Sequence, residues 1–270
     1  MMPVIRNARA RRGGRWDRTK SPLRLLVPAA LISVIVAGGV IFAAMKAGPA
    51  LRAADDCPVE GAPAQTFVFG VDTTNRLVAG APRAVELNLE SSLQELAPGS
   101  RVALVEIGAV APTEPRLLFE RCLPGNADNA SRNRLRDAVM TPLRRQLARL
   151  ETAPEASSSA IIETILALAD DPHLHPAGTN LTIRIETDGL QHTAYFDAYG
   201  GGSFPPAPRG VLRNVDIHID ALRNPAASHL QARALDGFAA WARQGGADHV
   251  VFDRPAWLAL ASGGQHVSAR

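Results

Sequence analysis

The stretch Gln65-Thr-Phe-Val-Phe-Gly-Val-Asp72-Thr-Thr-Asn-Arg76 decides the fold. An apolar run with β-branched and aromatic residues stops at an aspartate followed by two hydroxyls. A buried parallel strand has this form when it delivers polar side chains at its carboxyl end. In open α/β sheets that end is where ligands sit, above all where the strand order reverses.

Downstream, strand and helix patterns alternate. Pro82–Leu96 has helical spacing, with Val85, Leu89, Leu93 and Leu96 on one face, and Pro98-Gly99 terminates it. Arg101–Ile107 (RVALVEI) reads as a second strand. Arg116–Phe119 (RLLF) begins a third, a hairpin partner or edge strand. A helix is expected from Ser131 to about Leu150. It carries Arg132, Arg134, Arg136, Arg144, Arg145 and Arg149 as a solvated face, and Pro142 should break or kink it. Ser157-Ser-Ser159 is expected to cap a buried helix over Ala160–Ala169. Asn180–Thr187 (NLTIRIET) is a fourth strand that runs into Asp188-Gly189, and Val215–Ile219 is a fifth. Ala226–Gln244 is the last helix and His249–Phe252 a final short strand. The pattern predicts an α/β fold: a doubly wound, mostly parallel, six-stranded Rossmann-like sheet with helices on both faces.

The amino-terminal region reads differently. Residues 1–24 hold seven arginines and one lysine against a single aspartate. In a chain whose formal charge is +3, the remainder is therefore net acidic, and charge gives no reason to expect nucleic-acid binding. From Leu25 to Met45 there are 21 residues without a charge, the length a helix needs to cross a bilayer. With the basic tail held inside, this is one transmembrane helix at the plasma (inner) membrane, with the domain in the periplasm or otherwise outside the cytoplasm. A cleaved signal peptide is the competing account, with Ala47, Ala50, Ala53 and Ala54 as candidate cut-site residues. The expected divisions are a cytoplasmic tail (1–24), the span (25–45), a linker (46–63), the domain (64–255) and a carboxyl-terminal tail (256–270).

Cys57 and Cys122 both fall outside the cytoplasm on this topology, where disulfides persist. Neither belongs to a Cys-x-x-Cys pair. Two readings stay open: a bond between them, or two separate buried thiols.

The order strand–Asp-x-Thr, helix, hairpin, Ser-rich helix start, strand–Thr-Asp-Gly resembles a von Willebrand factor type A domain over residues 63–255 or so. The resemblance rests on Phe67-Val-Phe-Gly-Val-Asp72-Thr-Thr74, Ser157-Ser-Ser159-Ala-Ile-Ile and Ile183-Arg-Ile-Glu-Thr187-Asp188-Gly189. It implies a divalent-cation site of hard oxygen donors, Mg²⁺ or Mn²⁺, with Asp72, Thr74, Ser159 and Asp188 as ligands. Arg76 stands where the family has a second serine. That change removes a ligand and adds a permanent positive charge, so a metal-free ion-pair cluster between the two aspartates is the alternative.

His192 and Tyr195, close after Asp188, are expected on the rim of that site. The tyrosines 195 and 199 are read as packing on a helix. The pair His173 and His175 lacks further ligands at zinc spacing. No nucleophile–base set is visible, so no enzymatic activity is expected. The expected function is a membrane-anchored binding or assembly module. It would use the sheet-top site to hold an envelope or surface protein, with or without a divalent metal. The alternative is a structural component of an envelope complex with a metal-free, degenerate site.

Overall fold

Strand β1 (Thr66–Asp72) is buried along its whole length and lies at the centre of a six-stranded sheet. The other strands are β2 (Arg101–Ile107), β3 (Arg116–Cys122), β4 (Leu181–Thr187), β5 (Val215–Ala221) and β6 (His249–Asp253), in the spatial order β3-β2-β1-β4-β5-β6. The computed structural model describes residues 51–253, apart from 53–54, 59–60, 75–76, 79, 113, 153–155, 157, 201–202 and 225–226. The chain divides into two compact units, Met1–Ala47 and Gly48–Arg270. The first unit, with the expected transmembrane stretch, lies outside the described residues, as do Arg76 and the carboxyl-terminal tail. Among the described residues, no helix is long and apolar enough to cross a membrane.

All neighbouring pairs are parallel except β2–β3, which is antiparallel with a register shift at Leu104/Val105 and leaves β3 at the edge. The chain leaves β1 towards β2 on one side, while β4 adds on the other. The carboxyl ends of β1 and β4 therefore flank the point where the strand order reverses.

Four helices cover the two faces: α1 (Ala81–Glu95), α2 (Asn129–Leu150), α3 (Ile161–Asp170) and α4 (Ser228–Gln244). Alternation along β1 divides the core. Phe67, Phe69 and Val71 pack with Val85, Leu89 and Val139 beneath α1 and α2. Val68 packs on the opposite face with Ile162, Ile165 and Leu235 beneath α3 and α4. Gly70 has no room for a side chain without crowding, because a Cβ there would lie 3.3 Å from Ile107 Cδ1 and 3.4 Å from Ile185 Cγ1.

Two sequence expectations need correction. Pro142 does not break α2, which runs unbroken through it. Leu135, Val139, Met140, Leu143, Leu147 and Leu150 are buried on both sides of the proline, and their burial outweighs the roughly 3 kcal/mol a helix-interior proline costs. The arginines of α2 form an exposed face as expected, and two of them also reach α1. Arg132 Nη1 donates to the carbonyl of Leu96 just past α1, at 3.0 Å, and Arg144 pairs with Glu86 of α1 through bonds of 3.1 and 3.2 Å. Ser158 and Ser159 do not cap α3, whose N-cap is Ala160 with no side-chain capping bond. The Oε1 of Gln191, a residue distant in sequence, takes the Ile162 N–H at 2.7 Å instead, satisfying one of the orphan donors of the first turn.

Cys57 and Cys122 are joined by a disulfide, both buried. The bond holds residues 55–58 against the end of β3, where Cys122 N also donates to the carbonyl of Asp55 at 2.8 Å.

Candidate functional site

Asp72 ends β1 and is 1% exposed. A carboxylate so far from water is costly unless its oxygens find donors. Four protein donors reach it. Thr74 supplies its N–H to Oδ1 at 3.0 Å and its hydroxyl to the same oxygen at 2.6 Å. Thr187, the last residue of β4, donates its hydroxyl to Oδ2 at 2.6 Å, and Ser159 donates to Oδ2 at 3.2 Å. The tight Asp72–Thr74 turn explains the first pair, because a short side chain at a strand end can bond the backbone two residues on. The other two donors arrive from β4 and from the loop before α3, so one carboxylate gathers three segments. Burial pushes the Asp72 carboxyl above its usual range, and the hydrogen bonds from Thr187, Thr74 and Ser159 oppose that shift.

Asp188 follows β4 and is buried, held by a different set of partners. Its Oδ1 accepts from Leu190 N at 2.9 Å and its Oδ2 from Asn224 Nδ2 at 2.9 Å. Gln231 of α4, fully buried, ties the same corner: its Nε2 donates to the carbonyls of Asp188 at 2.9 Å and Leu222 at 2.8 Å. Gly189 between them has φ +74°, and a Cβ on it would come within 2.8 Å of Leu235 Cδ2. Only glycine meets both conditions without displacement.

The rim is built by residues 190–200. His192 forms an antiparallel bridge with Ser159, and its Nδ1 lies 2.8 Å from Asp197 Oδ1. That contact holds the Asp197 carboxyl below its usual range. Tyr199 meets the His192 ring edge-on at 6.0 Å. Tyr195 is 38% exposed and Tyr199 48%. Neither tyrosine is on a helix, contrary to expectation; they belong to irregular chain held by Thr193, Gln191 and Glu163. A shallow groove of about 690 Å³ opens here, lined by Val110, Ser158, Glu163, His192 and Tyr195 among others.

The donor set was tested against a divalent cation. Carboxylates ligate hard metals through free lone pairs, and an ionised carboxylate offers about four such positions. Those of Asp72 are all taken by protein donors, and each oxygen of Asp188 already accepts a hydrogen bond. The hydroxyls of Thr74, Ser159 and Thr187 spend their protons on Asp72, leaving neutral oxygens only. Asp72 in this arrangement therefore has no lone pair left to ligate a Mg²⁺ or Mn²⁺ ion directly.

Of the residues expected from sequence, Asp72, Thr74 and Ser159 are brought together, Asp188 sits one residue beyond Thr187, and His192 and Tyr195 are on the rim. Arg76 lies outside the described residues. Thr187, Gln191, Asn224 and Gln231 were not anticipated as site residues. Thr187 lay within the quoted Thr-Asp-Gly motif, which was the only signal for it.

A second buried carboxyl lies nearby but faces α1. Glu186, 1% exposed, accepts from Asn88 Nδ2 at 2.8 Å and stands beside Asp220 of β5. Arg184 grips Asp220 at 2.6 and 3.0 Å. Burial first, and the Asp220 charge second, push Glu186 up to about 8.

No protein-family model matches the chain, and no curated protein matches it. Solved structures do show similarity. An aerotolerance-related membrane protein from Bacteroides fragilis is 11% identical with TM-score 0.38, over 74% of this chain and 96% of that one. The human COPII-coat protein Sec24c is 13% identical with TM-score 0.38, over 72% and 30%. The pilus adhesin SpaC from Lactobacillus rhamnosus GG is 10% identical with TM-score 0.37, over 77% and 30%.

Proposed function

We propose that the chain is a membrane-anchored, extracytoplasmic binding or assembly module built on a von Willebrand A-like domain. It meets an envelope or surface protein at the carboxyl edge of its sheet, without catalysis and without a divalent cation. The single observation that carries the metal-independent form is the Asp72 carboxylate, whose hydrogen-bonding positions are filled from within the protein. Such a cluster fixes three loops relative to one another. A rigid edge then presents Val110, 80% exposed, and Tyr195 beside the groove. Apolar and tyrosyl groups on a braced surface suit protein contact.

A photo-crosslinking amino acid placed at Val110 or Tyr195 of the full-length chain in intact membranes tests this reading, with Leu87 on the outer side of α1 as control. Discrete adducts at the two edge positions, unchanged by a chelator, are expected. Adducts at Leu87 alone, none at the edge, or edge adducts lost with chelator would contradict it.

A further inference from the structure

On the outward side of α4 lies a cavity of about 360 Å³. Its walls are Phe196, Phe204, Ala234, Gly237, Ala240 and Trp241, and the exposed Arg233 and Gln244 also line it. Phe196 and Phe204 stack with ring centres 4.0 Å apart, and Phe238, outside the cavity lining, lies 6.5 Å from Phe204 and 5.4 Å from Trp241. Phe204 holds its place because position 237 is glycine: a Cβ there would fall 2.3 Å from the Phe204 ring. The cavity is thus shaped jointly by the helix and by the loop that returns over it.

One feature distinguishes it from a packing defect. Arg233 has no ion pair among the described residues and stands beside the apolar wall. Volume and lining match those of small-molecule sites, which are roughly 300–1,000 Å³, mostly apolar, with a few polar groups that orient the ligand.

We propose that this cavity binds a small apolar carboxylate. An aryl or alkyl body lies against Phe204 and Trp241, and the acid is held by the Arg233 guanidinium. The planar, permanently charged fork of arginine matches a carboxylate's two oxygens. Phenylbutyrate has both parts and is the probe.

The test uses the full-length chain in lipid nanodiscs, titrated calorimetrically with phenylbutyrate and with phenylbutanol, its uncharged analogue, after subtraction of empty discs. Saturable binding of phenylbutyrate is expected with a Kd on the order of a millimolar or tighter, the range set by ligand efficiency for a molecule of this size. Phenylbutanol should bind more weakly. Arg233→Gln should weaken phenylbutyrate roughly tenfold and leave phenylbutanol unchanged. Ala240→Trp, at an exposed position in the wall, should remove binding of both while the unfolding temperature holds. In fluorotryptophan-labelled protein the Trp241 resonance, identified with Trp241→Phe, should shift at saturation. No binding above empty discs overturns the proposal. So does equal affinity for acid and alcohol with no effect of Arg233→Gln, or binding that survives Ala240→Trp.

Discussion

The hydroxyl of Thr187, at the end of β4, donates to Oδ2 of Asp72, at the end of β1, at 2.6 Å. The same Thr187 oxygen accepts the Gly189 N–H at 3.0 Å. One side chain therefore joins the two central strands and fixes the turn that leaves β4. Thr187→Val preserves shape but strands both the carboxylate and the amide. We expect a loss of about 2–3 kcal/mol in denaturant unfolding, largely restored by Thr187→Ser. A loss no larger than that of a surface threonine would show that the bond is dispensable.

Glu186 gives a pH signature. Its folded pKa, about 8, lies above its unfolded value. The folded protein then holds a proton that the unfolded chain releases, and stability falls as pH rises from about 4.5 to about 8. Glu186→Gln keeps the acceptor for Asn88 and removes the titration. The variant should gain on the wild type by a few kcal/mol between pH 5 and pH 8.5, read from paired unfolding curves. A constant difference across that range would contradict the assignment.

The disulfide between Cys57 and Cys122 spans a sequence separation of 65. Closing a loop of that length in the unfolded chain is worth about 4 kcal/mol. Replacing both cysteines by serine should lower the unfolding temperature by an amount that a reductant reproduces in the wild type. Insensitivity to reductant would mean that residues 55–58 are held by other contacts.

Gly189 combines φ +74° with a Cβ position 2.8 Å from Leu235. Gly189→Ala should cost about 1–3 kcal/mol, and part of that should return in combination with Leu235→Val, which frees space. Additive losses in the double variant would assign the cost to backbone strain alone.

The central strands were legible because burial on both faces leaves β1 an almost continuous apolar run, because β4 alternates apolar and polar residues, and because Gly and Pro punctuate the helices. Pro142 misled because its local penalty is smaller than the burial of the six apolar residues around it, a quantity that only packing defines. The triple serine before α3 misled for a related reason: Ser159 is drawn to Asp72, so the helix takes its cap from Gln191. Site residues with a strand-end motif, Asp72 and Thr74, stood out. Gln191, Asn224 and Gln231 did not, since an amide that bonds backbone or side-chain groups up to 43 residues away carries no local pattern.

The central claim is that the sheet-top cluster is closed by its own hydrogen bonds and works without a metal. Calorimetric titration of the chelator-treated protein with Mg²⁺ and with Mn²⁺, beside Asp72→Ala, tests it most directly. The account predicts no saturable heat up to millimolar metal in either protein. One-to-one binding by the wild type that is lost in Asp72→Ala would contradict it.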